Sequence, residues 1–195
     1  MGISLDRSAE ILDLPAGLIG GWRRQLAEPH RHYHTLSHIE HMLANLDPAE
    51  QSPEIIAAIW LHDIVYDPTR GDNEERSAEQ ARAQLASTRI DARLVSELVL
   101  GTKHHEAESD AQKILNDIDL GILGASAEAY DRYAGQIRQE YGFVGEADYR
   151  QGRAQILRGF DQRQIYQTAR WQHREAQAHT NLRREIDQLG AGPKS

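Results

Sequence analysis

An all-α fold, a bundle of helices, is expected of this chain of 195 residues. Apolar residues recur at three- and four-residue spacing through nearly every segment, Pro and Gly fall chiefly between those segments, and no stretch of useful length alternates apolar with polar residues as a half-buried strand would. No internal repeat and no low-complexity tract competes with that reading.

In chain order, the first helical segment runs from about Ala9 to Leu26 on Ile11, Leu12, Leu14, Leu18, Ile19 and Trp22, with Pro15, Gly17, Gly20 and Gly21 expected to interrupt it. A histidine cluster follows Pro29, and then a short helix carries Ile39, Met42, Leu43 and Leu46 until Pro48 stops it. Pro53 suits the first position of the next helix, PEIIAAIWLHDIVY, which is apolar on nearly all sides and is expected to be the central, buried one. His62 and Asp63 lie near its C-terminal end. Asp67-Pro68 and Gly71-Asp72 mark a loop, after which NEERSAEQARAQLA turns Ala78, Ala81 and Leu85 inward, with Asp72 as its expected cap. DARLVSELVLGTKHH forms another amphipathic helix, and QKILNDIDLGILG a shorter one closed by Gly124. Segments 126–141, 146–160 and 170–189 read as three polar helices with thin apolar faces such as Tyr130, Tyr133, Ile137 and Tyr141, and GAGPKS as a frayed tail.

Composition narrows the function classes. With 39% hydrophobic and 27% charged residues and no apolar run near membrane-spanning length, an ordinary soluble globular protein with no membrane partner is expected. The start MGISLDRSAEILDL lacks the basic and apolar regions of a secretory signal, and Gly2 lacks the Ser or Thr at position 6 that myristoylation favours, so the expected location is cytoplasmic. A formal charge of −8 argues against an extended nucleic-acid footprint, which depends on phosphate neutralisation. A small anionic substrate remains compatible, because bound cations and a few local Arg, Lys and His side chains reverse the sign inside a pocket. The thin faces of the last helices suit a monomer or a homodimer.

The chemistry lies in the histidines and carboxylates. Five of the ten histidines fall between His30 and His41, followed by the doublet His62-Asp63 and, much later, by Asp119 in ILNDIDLGIL. Imidazole and carboxylate donors together suit Mn, Fe, Co, Ni or Zn, and the absence of cysteine removes the thiolate-rich structural zinc sites, which favours a catalytic metal. On a helix His34 and His38 share a face at four apart, as His38 and His41 do at three apart, and spacing alone does not choose between them. His62 and Asp63 diverge by about 100° around a helix, yet both reach one region if the ion lies off the helix end. Burying Asp63 beside His62 without a cation or strong donors is costly.

At this point a resemblance is visible. R-x-Y-H-x-x-x-H (Arg31 to His38), H-D-x-x-Y-D-P (His62 to Pro68), D-N-E-E-R-S-A (Asp72 to Ala78), T-K-x-H (Thr102 to His105) and D-I-D-L-x-I-L-G (Asp117 to Gly124) occur in this order. The order resembles the HD-domain metal-dependent phosphohydrolases, and more closely one predicted HD phosphohydrolase family with these five motifs. The likeness extends from about Pro29 through YRQGRAQIL and NLRREI. It implies an HD-type catalytic domain over 29–189, beside which a helical segment over 1–28 packed on the core and a flexible tail over 190–195 are expected. It makes His38, His62, Asp63 and Asp119 the ligands of a first metal, with Asp63 a bridge toward a second. His34 becomes the proton donor to the leaving oxygen. Lys103 is a catalytic and substrate-binding anion contact, and His105 a partner for the phosphate or for a second ion. Glu74 and Glu75 stand where some dinuclear relatives carry a further histidine, which implies a weaker, exchangeable second ion.

The implied activity is hydrolysis of phosphate esters by a metal-bound hydroxide, on a nucleotide or another small phosphorylated metabolite, with Mn, Fe, Co, Ni, Zn or Mg as cofactor. The alternatives are an HD-fold di-iron oxygenase and a non-catalytic nucleotide-binding module. Blander roles suit several neighbours: His30, His32 and His41 orient a ligand or lie on the surface, and His104 falls at a variable motif position. Asp117 caps or orients a neighbour. Glu74 and Glu75 equally suit the electrostatics of a helix N-terminus, and Arg170, Arg174, Arg183 and Arg184 a solvated face.

Overall fold

The structure, a computed structural model, describes residues 2–191. Those residues form ten α-helices and three short 3-10 turns, without a strand. The helices are α1 (Leu5–Leu12), α2 (Ala16–Gln25), α3 (Leu36–Ala44), α4 (Pro53–Leu61), α5 (Asn73–Leu85), α6 (Ala92–Gly101), α7 (Asp110–Asp119), α8 (Ala127–Glu140), α9 (Glu146–Asp161) and α10 (Glu175–Gly190). The all-α expectation is met, and no helix among the described residues is long and apolar enough to cross a membrane. Residues 192–195 of the expected tail lie outside the described residues, while Gly190 closes α10 and Ala191 caps it. The chain divides into two compact units, one ending at Ile118 and one beginning at Asp119.

The first unit is built on α4. Ser52 caps it by accepting from the Ile55 amide at 3.1 Å, and Pro53 takes the first turn, where no amide is needed. Every residue from Ile55 to Leu61 is buried, and α1, α3, α5 and α6 all pack against the helix. Three isoleucines are poor helix formers, but each fully buried large apolar side chain contributes about 1.5–3 kcal/mol, which outweighs a propensity cost of a few tenths. Trp60 sits at the centre, tilted against Trp22 with centroids 5.9 Å apart. Its indole N–H donates to the Ser8 hydroxyl at 2.9 Å, and that hydroxyl donates to the Leu5 carbonyl at 2.7 Å. At the far side of α6, Gly101 allows a close approach, because a Cβ there would collide with the Gln112 side chain of α7.

Helix boundaries meet the expectation in part. The interruption expected within 9–26 falls at Asp13, in the left-handed region (φ 50°), and Pro15. Gly17, Gly20 and Gly21 lie inside α2 without breaking it. Each costs roughly 1 kcal/mol, which burial of Ile19 and Trp22 offsets. The central helix stops at Leu61 rather than near Tyr66, and α6 stops at Gly101 before the Lys103-His105 stretch. Asp72 does occupy the N-terminal position of α5, but its carboxylate pairs with Arg70 at 2.6–2.7 Å and makes no cap bond.

The second unit keeps its three polar helices where they were expected. α10 packs along α9, and between them Arg153 makes a bidentate pair with Glu185 at 2.9 and 3.2 Å, to which the Tyr130 hydroxyl donates at 2.5 Å. Burial, reinforced by Glu185, raises the Tyr130 hydroxyl far above its ordinary range, so it remains a donor. The thin apolar face is thus completed by a paired charge. Residues 120–125 are tied down by Tyr166, which donates to the Leu120 carbonyl at 3.1 Å, and by Asn181, which donates to those of Leu123 and Ala125 at 2.8 and 2.9 Å.

Ser8→Ala removes the hydroxyl that accepts from the Trp60 indole while changing little volume. It is expected to lower stability by about 1–3 kcal/mol in urea denaturation, the cost of an orphaned buried donor. An unchanged midpoint would contradict the role given to this bond.

Candidate metal centre

The site forms where α4 ends. The His62 amide still bonds the Ala58 carbonyl at 2.9 Å, and its ring Nδ1 donates to the Ile59 carbonyl at 2.9 Å. A carbonyl only accepts, so Nδ1 carries a proton, and in the neutral ring the Nε2 lone pair is the one that faces outward. That Nε2 lies 3.2 Å from Nε2 of His38 and 2.9 Å from a carboxylate oxygen of Asp63. His38 comes from the first turn of α3, whose N-cap Thr35 accepts from the Ser37 amide. His41, three residues on, is exposed and meets Asn45, and of the two same-face pairs left open by spacing it is their shared member, His38, that belongs to the group.

Three donor atoms thus converge, all within 4.8 Å of one another. Ligand bonds of about 2.0–2.2 Å place neighbouring donors on one ion about 2.9–3.4 Å apart, between octahedral and tetrahedral edges. The observed 3.2 and 2.9 Å fall in that interval. A neutral imidazole lone pair facing a carboxylate oxygen is repulsive until a proton or a metal ion lies between them, and two imidazoles with a carboxylate are a donor set that fits a divalent metal. His38 and His62 are buried while the Asp63 side chain keeps 19% of its surface, leaving one side open.

Beyond the doublet the chain is irregular, yet its backbone groups find partners in side chains. Arg31 donates to the carbonyls of Asp63 and Ile64 at 2.7 and 3.0 Å. Ser77 on α5 accepts from the Val65 amide at 3.1 Å and donates to the Val65 carbonyl at 3.3 Å. His30 Nε2 meets the Tyr66 carbonyl at 2.8 Å. Asn73, one turn before Ser77, accepts from the Asp67 amide at 3.0 Å and donates to its carbonyl at 2.9 Å. Residues four apart on α5 therefore bind residues 65 and 67 of this irregular stretch.

His34 lies in the bend before α3, not on a helix with His38. Its ring stacks on Tyr66 with centroids 4.3 Å apart and stands 6.2 Å from the His38 ring, while Tyr33 lies against both rings at 5.1 and 4.8 Å. Lys103 donates to the Gly71 carbonyl at 2.9 Å and forms an ion pair with Glu75. This hydrogen bond holds the Glu75 carboxyl below its ordinary value and raises Lys103. Glu74 is half-buried in the first turn of α5, and His105 follows α6 with φ 53°. Glu74, Glu75 and His105 are not members of the three-donor group. Asp119 is half-buried, ends α7 and begins the second unit, two residues after the fully buried Asp117.

Comparison with protein-family models, with curated proteins and with solved structures finds no match. Sequence reasoning left Arg31, Tyr66, Asn73 and Ser77 without roles. A signal was present, since each occupies a fixed position of a quoted motif, but side-chain binding to an irregular backbone has no periodicity to reveal it.

Asn73→Ala leaves the Asp67 amide without its acceptor while the Asp67 carbonyl keeps the Arg70 amide at 3.0 Å. A stability loss of about 1–3 kcal/mol is expected in chemical denaturation. A loss below the error of that measurement would show the clamp to be dispensable.

Proposed function

We propose that this chain is an HD-type metal-dependent phosphohydrolase acting on phosphate esters, with a nucleotide or another small anionic metabolite as substrate. The observation that carries the reading is the convergence of His38 Nε2, His62 Nε2 and an Asp63 oxygen, from motifs whose order resembles that family. When bound, a divalent ion supplies Lewis acidity, making water a better nucleophile near neutral pH and offsetting phosphoryl charge.

The chain's own residues do the rest. His38, His62 and Asp63 hold the ion, and Asp119 is assigned the fourth position by the motif resemblance. The Ile59 carbonyl keeps the His62 ring in the tautomer that presents Nε2. His34, stacked on Tyr66 and 6.2 Å from the His38 ring, is the group placed to hand a proton to the departing oxygen. Lys103 and His105 are the proposed phosphate contacts, and a phosphate reaching Lys103 competes with Glu75 for its ammonium. Glu74 and Glu75 are the carboxylates for a weaker second ion.

The test is to quantify metal in the purified protein and to screen phosphomonoesters, cyclic nucleotides and nucleoside triphosphates with added Mn, Co, Ni and Mg. Asp63→Ala is expected to abolish both tight metal binding and turnover with helical content intact, and full activity in that variant rejects the assignment. His34→Ala is expected to keep the metal and lose about 10²–10⁴-fold in turnover, the usual worth of general acid catalysis. A parallel loss of metal would make His34 a ligand instead.

A further inference from the structure

We infer that Arg31 is the positioning residue of this centre, the side chain that fixes the doublet and the His34 segment in one geometry; the inference rests on the metal reading above. Its side chain is fully buried. Nη1 donates to two main-chain carbonyls at once, those of His34 at 3.1 Å and Asp63 at 2.7 Å. Nη2 takes the Ile64 carbonyl at 3.0 Å, and Nε pairs with Glu28 at 3.1 Å. The guanidinium carbon lies 5.5 Å from the centre of the Tyr66 ring, the same ring on which His34 stacks.

One planar group therefore spans the proton-donor segment, the carbonyl of a metal ligand and the aromatic ring behind the donor. It touches no reacting atom; it acts through the backbone of residues 34, 63 and 64. A neutral amide would lose the charge-assisted bonds, and lysine, with its donors on a single nitrogen, reaches one or two of these oxygens but not the fork. The spacing between His34 and the three donors is therefore set by the protein before any ion arrives. Loss of a group that orients ligands costs about 10–100-fold in metal affinity.

The test uses cobalt(II) alone as the probe, titrated into wild-type protein, Arg31→Lys and Arg31→Ala, with the visible absorption spectrum reporting ligand geometry and circular dichroism reporting helix content. Both variants are expected to keep wild-type helicity at low temperature, to bind cobalt about 10–100-fold more weakly, and to show a shifted ligand-field band. Added guanidinium ion restores the band and the affinity in Arg31→Ala. Wild-type affinity and spectrum in either folded variant overturn the inference, as does a loss that follows helicity in both variants and is not restored by guanidinium. Wild-type protein that takes up no cobalt removes the metal reading itself, a result distinct from undiminished uptake by the variants.

Discussion

The structure depends on satisfying the backbone that leaves α4. A helix whose last seven residues are all buried delivers its C-terminal carbonyls and the following amides into a place where water does not reach freely, and each unpaired group there costs about 1–3 kcal/mol. Continuing the helix would satisfy them, yet the helix stops at Leu61. Arg31, His30, Ser77 and Asn73 replace the missing intrahelical bonds with side-chain ones. The requirement explains why the loop before α3 and the first turns of α5 both close on this short stretch.

The same solution makes the site. If α4 continued, His62 and Asp63 would diverge around its axis; with the helix ended, an Asp63 oxygen turns back to within 2.9 Å of His62 Nε2. The Arg31 fork joins that turn to His34, and Tyr66, held through its carbonyl by His30, supports the His34 ring. The three candidate metal donors, the His34 ring and the Tyr66 ring beside it are thus organised by one hydrogen-bonding problem and its answer. Lys103 is organised too, but toward Glu75 and Gly71, which makes it a tether between the stretch after α6 and the start of α5.

Much of this was legible in the sequence because it rests on periodicity or on capping residues. The apolar run from Ile55 to Leu61, Pro53 at a helix start and Ala78, Ala81 and Leu85 on one face of α5 appear as read. His38, His62 and Asp63, three of the four residues that the motif resemblance names as ligands, do lie together as a group that could hold a metal ion. The termination of α4 was not legible, since HDIVY continues the apolar pattern and nothing local announces that side chains from elsewhere will take over its backbone bonds. Gly17, Gly20 and Gly21 misled for the opposite reason, because burial of Ile19 and Trp22 outweighs a local preference that the sequence displays openly.

If His38, His62 and Asp63 form a single cation site built in advance by the protein, anomalous scattering from crystals grown with cobalt or zinc will show it. The expected result is a peak within bonding distance of both Nε2 atoms and an Asp63 oxygen, with the Arg31 bonds to residues 34, 63 and 64 unchanged from the metal-free crystal. A bound ion located elsewhere, with these three side chains bonded only to one another, would contradict it.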